Sequence, residues 1–320
     1  MKTFTGMSDM ATVAVLARRD VAVALAEDVG TGDLTAGLIT SGKTAQARII
    51  AREDAVLCGT PWVTAAFTAL DPTVQLTWHV QEGQRCQPNQ TVLEMQGDAR
   101  SLLTGERTAL NFLQMLSAVA TKTATYVAAI AGTGTQIVDT RKTLPGLRLA
   151  QKYAVRTGGG VNHRIGLYDA ILIKENHIAA AGGIPQVLAQ ASAFKDAASF
   201  SQIEVETLEQ LREALQHGAA MVLLDNMDLP TLRQAVAINR ELGATRAAGP
   251  AILEISGGVK LEGLRTLAAN VAVEMPESEV GGSHYRVLFL SALVLLLFTF
   301  IMNTLAELIR QRLRKKYSSL

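Results

Sequence analysis

Only two cysteines, Cys58 and Cys86, occur in 320 residues, and they form neither a CxxC pair nor a zinc-type spacing. A disulfide framework is therefore excluded as the organising device, and a reducing compartment is the expected setting. Charge of one sign is missing too: 30 basic against 29 acidic residues leave a formal net charge of +1. That balance excludes a chain that coats nucleic acid or carries an acidic disordered tail, so any anion binding is local. The opening MKTFTGMSDM has no apolar run behind a basic head. ATVAVLA at 11–17, flanked by Asp9 and ARRD, is expected as a short amphipathic helix rather than an export signal.

Charged residues are also scarce, at 18%, and the mean hydropathy is +0.21. Much of that excess sits at one end. From Val287 the chain reads VLFLSALVLLLFTFIMNTLAELI and then RQRLRKK, with five cations in seven residues. The length and the basic flank predict a membrane-spanning helix over 287–309. A buried core helix is the alternative, but apolar surface on every side is uncommon for one.

Ahead of that tail the chain falls into two regions. Residues 1–132 mix helix and strand: a helical pattern near 9–26, the glycine-rich turn EDVGTGDLT, strand-like runs ARIIARE, VQLTWHV and TVLEMQG, then a long helix from about Ser101 to Ile130. From 133 to 270 strand and helix alternate. The strands are QIVDT (136–140), AILIK (170–174), QIEVE (202–206), MVLLDN (221–226) and AILEISG (251–257). Apolar strands joined by helical crossovers predict a parallel sheet.

Polar residues at the strand ends favour a barrel over an open sheet. Arg141, Lys142, Lys174, Asp225 and Ser256 lie at or just past the C-terminal ends of different strands, and Glu204 lies within one. A barrel gathers those ends at one mouth, where barrel enzymes do their chemistry. Arg107, Arg164 and His163 would add to the cations there. So many cations call for a multiply anionic ligand, and Glu204 and Asp225 facing phosphate-binding cations suit Mg²⁺. GGGVNHR (158–164) is read as part of this site, its glycines letting the backbone approach an anion.

DTRKTLPGLR (139–148), KYAVRTGGGVNHRIGLYDAILIKENH (152–177), IEVE (203–206), LLDNM (223–227) and LEISGG (253–258) resemble quinolinate phosphoribosyltransferase. EDVGTGDLT and GERTALNFLQ agree, and the resemblance runs in continuous order over about residues 8–270. It implies an α/β protein: an N-terminal open-faced α/β sandwich (1–132), then an incomplete α/β barrel (133–270). It also implies a cytoplasmic homodimer that transfers phosphoribose from PRPP to quinolinate with Mg²⁺, releasing CO₂ and pyrophosphate and giving nicotinate mononucleotide for NAD biosynthesis.

By motif position, Arg107 resembles the arginine that reaches the neighbouring subunit's site. Arg141, His163, Arg164 and Lys174 match the quinolinate-binding set. Lys142, Glu204 and Asp225 match the catalytic, PRPP and metal set, and Ser256 and Gly257 match a phosphate-binding turn. A related transferase-like protein encoded with molybdate transport shares many of these motifs and is the nearest alternative.

The chain departs from the family pattern at Met115, often arginine, at Thr157, often cysteine, and at Gln202, often glutamate. The larger departure begins near Asn270. There the family continues with another barrel strand and a glycine turn, whereas residues 271–320 resemble the end of a phosphate-transporter permease subunit. On this reading the tail is a foreign piece that costs the barrel a strand and anchors or inactivates the enzyme. The basic flank would also put residues 1–286 outside the cell, at odds with a PRPP-using enzyme.

Overall fold

The structure is a computed structural model and describes residues 10–259, 261 and 272–274. They belong to one compact unit, Met1–Met275. The apolar run at 287–309 and most of the segment from 271 onward lie outside the described residues. Among the described residues no helix is long and apolar enough to cross a membrane.

The N-terminal part is built on an antiparallel sheet ordered β1 (Thr44–Ile50), β5 (Thr91–Asp98), β3 (Gln75–Trp78). Side-chain alternation gives that sheet one apolar face. Leu93 and Met95 of β5 are buried while Glu94 between them is exposed. Three helices supply the cover: α1 (Met10–Asp28), α2 (Thr60–Leu70) and α3 (Ala99–Ala129). Their apolar stripes bring Val13, Leu16, Trp62, Phe67 and Leu116 into one core with Leu93. The Trp62 indole donates to Asp20 at 3.1 Å, so the buried tryptophan N–H is satisfied. A short antiparallel pair, β2 (Ala55–Val56) with β4 (Arg85–Cys86), joins this layer. Asp98 caps α3 by accepting from the Ser101 N–H at 3.0 Å.

Past α3 the sheet is all parallel. Its strands are β6 (Ile137–Val138), β7 (Ile171–Ile173), β8 (Ser201–Val205), β9 (Met221–Asp225), β10 (Ile252–Ser256) and β11 (Ala272–Glu274). The spatial order is β6, β11, β10, β9, β8, β7. From β7 to β11 each strand lies beside its predecessor in the chain, and the last lies beside the first. That is the order of strands around a barrel; a doubly wound sheet reverses direction at its middle. On the other side of β6, Val138 bridges Val161 in parallel, which leaves the opening between Val161 and β7.

Helices α4 (Arg148–Thr157), α5 (Glu175–Ala181), α6 (Ile184–Ser192), α7 (Leu208–Gln216) and α8 (Leu229–Gly243) fill the connections. Ile203, Val205, Val222, Leu224, Leu253 and Ile255 turn outward onto Leu211, Leu215 and Leu232 of α7 and α8. Their neighbours in each strand therefore face the interior.

The strand expected to be missing after β10 is present. Glu254 and Ile255 pair with Ala272 and Val273, and Val273 and Glu274 pair with Ile137 and Val138. The sheet thus continues past residue 270, and β10 and β6 keep a partner on that side. The short run AVE forms it without the family's usual flanking motif.

Candidate active site

Parallel strands bring their C-terminal ends to one edge, and every strand-end residue singled out in the sequence lies there. Lys174 directly follows β7, Glu204 is the penultimate residue of β8, and Asp225 and Ser256 end β9 and β10. Ser256 and Asp225 are register partners, and Ile173 is opposite Ile203, so Lys174 comes beside Glu204. The Lys174 ammonium sits 3.2 Å from a Glu204 carboxylate oxygen.

Arg141 and Lys142 follow β6, and His163 and Arg164 follow the bridged Val161. Arg141 Nε is buried without a hydrogen-bond partner. Burial and, next, the Arg141 charge pull Arg164 below the usual guanidinium range. Two arginines that oppose each other, one with an orphaned donor, suit an anionic ligand. Lys142 is exposed, its backbone N–H held by the Thr140 hydroxyl at 2.9 Å. Arg107 stands apart, exposed on α3 and not on a strand end.

At the end of β10, Gly257 has φ +80°, and a Cβ there would lie 2.0 Å from Asn226 Oδ1. The Asn226 N–H donates to the Ser256 carbonyl at 3.0 Å, locking the two turns together. Only glycine fits that turn.

The glycine run has a different use from the one expected. A Cβ on Gly158 would stand 2.3 Å from the Ala120 carbonyl oxygen, and one on Gly160 would meet Val155 and Thr123 below 3 Å. These glycines let the loop press against α3 and α4, so the close approach is internal to the protein.

Beneath the loop is a buried network that the sequence reading missed. Lys152, fully buried on α4, donates to Asp139 and to the His163 carbonyl at 3.2 Å. Asp139 also accepts from Asn162 Nδ2 at 2.6 Å and from the His163 N–H at 2.8 Å. Burial works against both charges, pulling Lys152 down and Asp139 up, and each is offset by the other. The effect is to pin the backbone that carries His163 and Arg164.

His163 is buried, and that burial holds its pKa at about 4, so the ring is neutral at physiological pH and adds no cation to the site. Its Nε2 lies 2.9 Å from Gln202 Oε1, and Gln202 Nε2 lies 2.9 Å from Glu254 Oε2. Gln202 and Glu254 form a polar layer one step below Glu204 and Ser256 on the same strand faces. The other two departures are half-buried. Met115 packs on the N-terminal core, and the Thr157 hydroxyl donates to the Tyr153 carbonyl at 3.1 Å.

Comparison with known proteins decides the family. The sequence profile of the quinolinate phosphoribosyl transferase C-terminal domain matches residues 119–277, and that of its N-terminal domain matches residues 33–117. The chain belongs to the quinolinate phosphoribosyltransferase family. It is 40% identical over 238 residues to the probable nicotinate-nucleotide pyrophosphorylase [carboxylating] of Bacillus subtilis, covering 74% of this chain and 80% of that one. It is 41% identical over 253 residues to the Mycobacterium leprae nicotinate-nucleotide pyrophosphorylase [carboxylating], covering 77% and 86%.

Among solved structures, the nicotinate-nucleotide pyrophosphorylase of Francisella tularensis superposes with a TM-score of 0.75 at 40% identity, covering 82% of this chain and 91% of that one. The family match reaches residue 277, seven residues past the break read from the sequence. The permease likeness of residues 271–320 finds no support in these matches.

Proposed function

We propose that this protein is a carboxylating nicotinate-nucleotide pyrophosphorylase. It joins the ring nitrogen of quinolinate to C1′ of PRPP, releases pyrophosphate and CO₂, and yields nicotinate mononucleotide for NAD biosynthesis. The observation that carries the reading is the buried, unpartnered Arg141 Nε beside Arg164, at a mouth shared with Lys174, Glu204 and Asp225. Two arginines and a lysine suit a dicarboxylate acceptor, with His163 alongside.

Lys142 meets the departing pyrophosphate, and the Ser256–Gly257 turn takes the phosphate of the ribose. Glu204 and Asp225 offset positive charge that develops on the ribose as the C1′–oxygen bond breaks. The electron pair of that bond leaves with pyrophosphate. When the carbon–carbon bond to the neighbouring carboxylate breaks, its pair stays on the ring carbon, which takes a proton. The surrounding cations lower the energy of that carbanion.

Glu204 and Asp225 fit a Mg²⁺ ion shared with PRPP, since this ion is commonly held by one or two carboxylates plus substrate oxygens. Among the described residues no group of three His, Cys, Asp or Glu forms a self-contained cage. Bound there, the ion would neutralise phosphate charge. A homodimer in which Arg107 reaches the neighbouring site accounts for its exposure on α3. The enzyme part belongs in the cytosol, where PRPP is made. Residues 287–309 carry a second reading, association with the inner membrane, on their apolar length alone.

The test is purified full-length protein with PRPP, Mg²⁺ and either quinolinate or nicotinate. Equimolar CO₂ and nicotinate mononucleotide from quinolinate supports the assignment. No product at saturating substrates, or equal use of nicotinate, overturns it. Fractionation of the expressed chain tests the membrane reading, which a wholly soluble protein would end.

A further inference from the structure

We propose that Gln202 and Glu254 are positioning residues that fix the tautomer of His163 and reserve its Nδ1 for the acceptor. This rests on the reading of His163 as an acceptor-binding residue. An amide nitrogen has no lone pair to offer, so Gln202 Nε2 can only donate to Glu254 Oε2 across their 2.9 Å. The Gln202 carbonyl oxygen is thereby turned to His163, where it can only accept. At 2.9 Å, His163 Nε2 must then carry the hydrogen. The ring is neutral because it is buried, so its one proton is committed to Nε2 and Nδ1 keeps a lone pair.

The arrangement is built rather than incidental. All three side chains are buried, at 8%, 1% and 2% exposure for His163, Gln202 and Glu254. The backbone of His163 is fixed independently, its N–H on Asp139 and its carbonyl on Lys152. Phe200 stands edge-on to the ring at 4.9 Å between centroids. The charged groups that act on the ring are Lys152 and Arg164, which disfavour a second proton, and Asp169, which favours it; Glu254 lies 3.5 Å from Nε2. Glu254 thus reaches His163 in two ways, directly at 3.5 Å and through the Gln202 amide, and only the amide sets which way the Gln202 carbonyl turns. A carboxylate can only accept, so a ring so prepared meets a dicarboxylate through Nδ1 as a donor, with a proton taken up as the anion binds.

Nitrogen-15 NMR of histidine-labelled full-length protein, assigned with His163→Gln, reads the tautomer directly and without substrate. In the unchanged protein at pH 7 His163 is expected as the Nε2–H form. Glu254→Gln, equal in shape, frees the Gln202 amide to rotate and should give a mixture of tautomers. Gln202→Leu removes the acceptor and should do the same. In both variants the acceptor KM should rise on the order of tenfold, as for loss of a partner that orients a ligand-binding histidine, with the PRPP KM nearly unchanged.

A His163 found as the Nδ1–H form, or a tautomer unmoved in both variants, overturns the proposal. If Gln202→Leu fails to fold, the isosteric Glu254→Gln decides alone. Because the tautomer is read in the free protein, a shifted tautomer with an unmoved acceptor KM sinks the acceptor role of His163 and leaves the relay standing.

Discussion

Gly158 and the Ala120 carbonyl are so close that a methyl group on the glycine would lie 2.3 Å from that oxygen. Gly158 has ordinary φ, −78°, so the constraint is space and not backbone strain. Gly158→Ala must push α4 away from α3, and the obstacle is backbone that cannot rotate aside. Overpacking of this kind costs about 1–3 kcal/mol, and the upper end is expected here. Urea denaturation should show a lower midpoint at an unchanged slope; an unaffected midpoint would mean the loop gives way freely.

Breaking the Lys152–Asp139 pair should cost far more than removing a surface ion pair. Both side chains are at least 95% buried, and either one left alone is a stranded charge. Lys152→Met or Asp139→Asn should each lose about 3–5 kcal/mol, and Lys152→Met leaves the worse defect, an unpaired carboxylate. The double variant should lose less than the sum of the two. Strict additivity in the double-mutant cycle would argue that the pair is not coupled.

Acid should weaken the fold partly through His163. Its folded pKa, about 4, lies below the ordinary value of 6.5, so the unfolded chain binds the proton first as pH falls. The stability this group contributes is present above about pH 6.5 and is lost progressively down to about pH 4. Between pH 7 and pH 5 the loss from this one ring is about 2 kcal/mol. His163→Gln should therefore show a flatter stability curve over that window. A parallel curve would mean the ring is not held neutral.

Glu204→Gln and Lys142→Ala should leave thermal stability nearly unchanged and lower kcat/KM by about a hundredfold or more. Glu204 sits at the mouth beside Lys174 and outside the apolar core cluster, and Lys142 is exposed. Near-normal turnover in either variant would remove it from the catalytic set. Gln at 204 also releases Lys174, so its effect should fall on both substrates.

Strand existence and strand ends were legible because each apolar run stops at polar or charged residues. That pattern alone puts Arg141, Lys174, Glu204, Asp225 and Ser256 on one edge. The second polar layer was also written in the chain: Gln202 and Glu204, like Glu254 and Ser256, are two apart and so share a face. Lys152 was not legible, since a lysine in a helix is read as solvated unless its partner is known. The glycine run was misread because a missing Cβ shows that something comes close and not what. Ala272–Glu274 was read as foreign because three residues carry too little pattern, and pairing on both sides is what makes them a strand.

The position of β11 has a consequence for how the molecule is made. Ile137 waits for Val273, which leaves the ribosome 136 residues later. Until then β6 and β10 both present open hydrogen-bonding edges to the crowded cell. Such long-range pairing is slow, and a nascent chain halted before residue 272 would carry two adhesive edges in place of none at that seam. The last short strand thus sets how long those edges stay open, and a synonymous change that slows translation just before it should raise the fraction that aggregates.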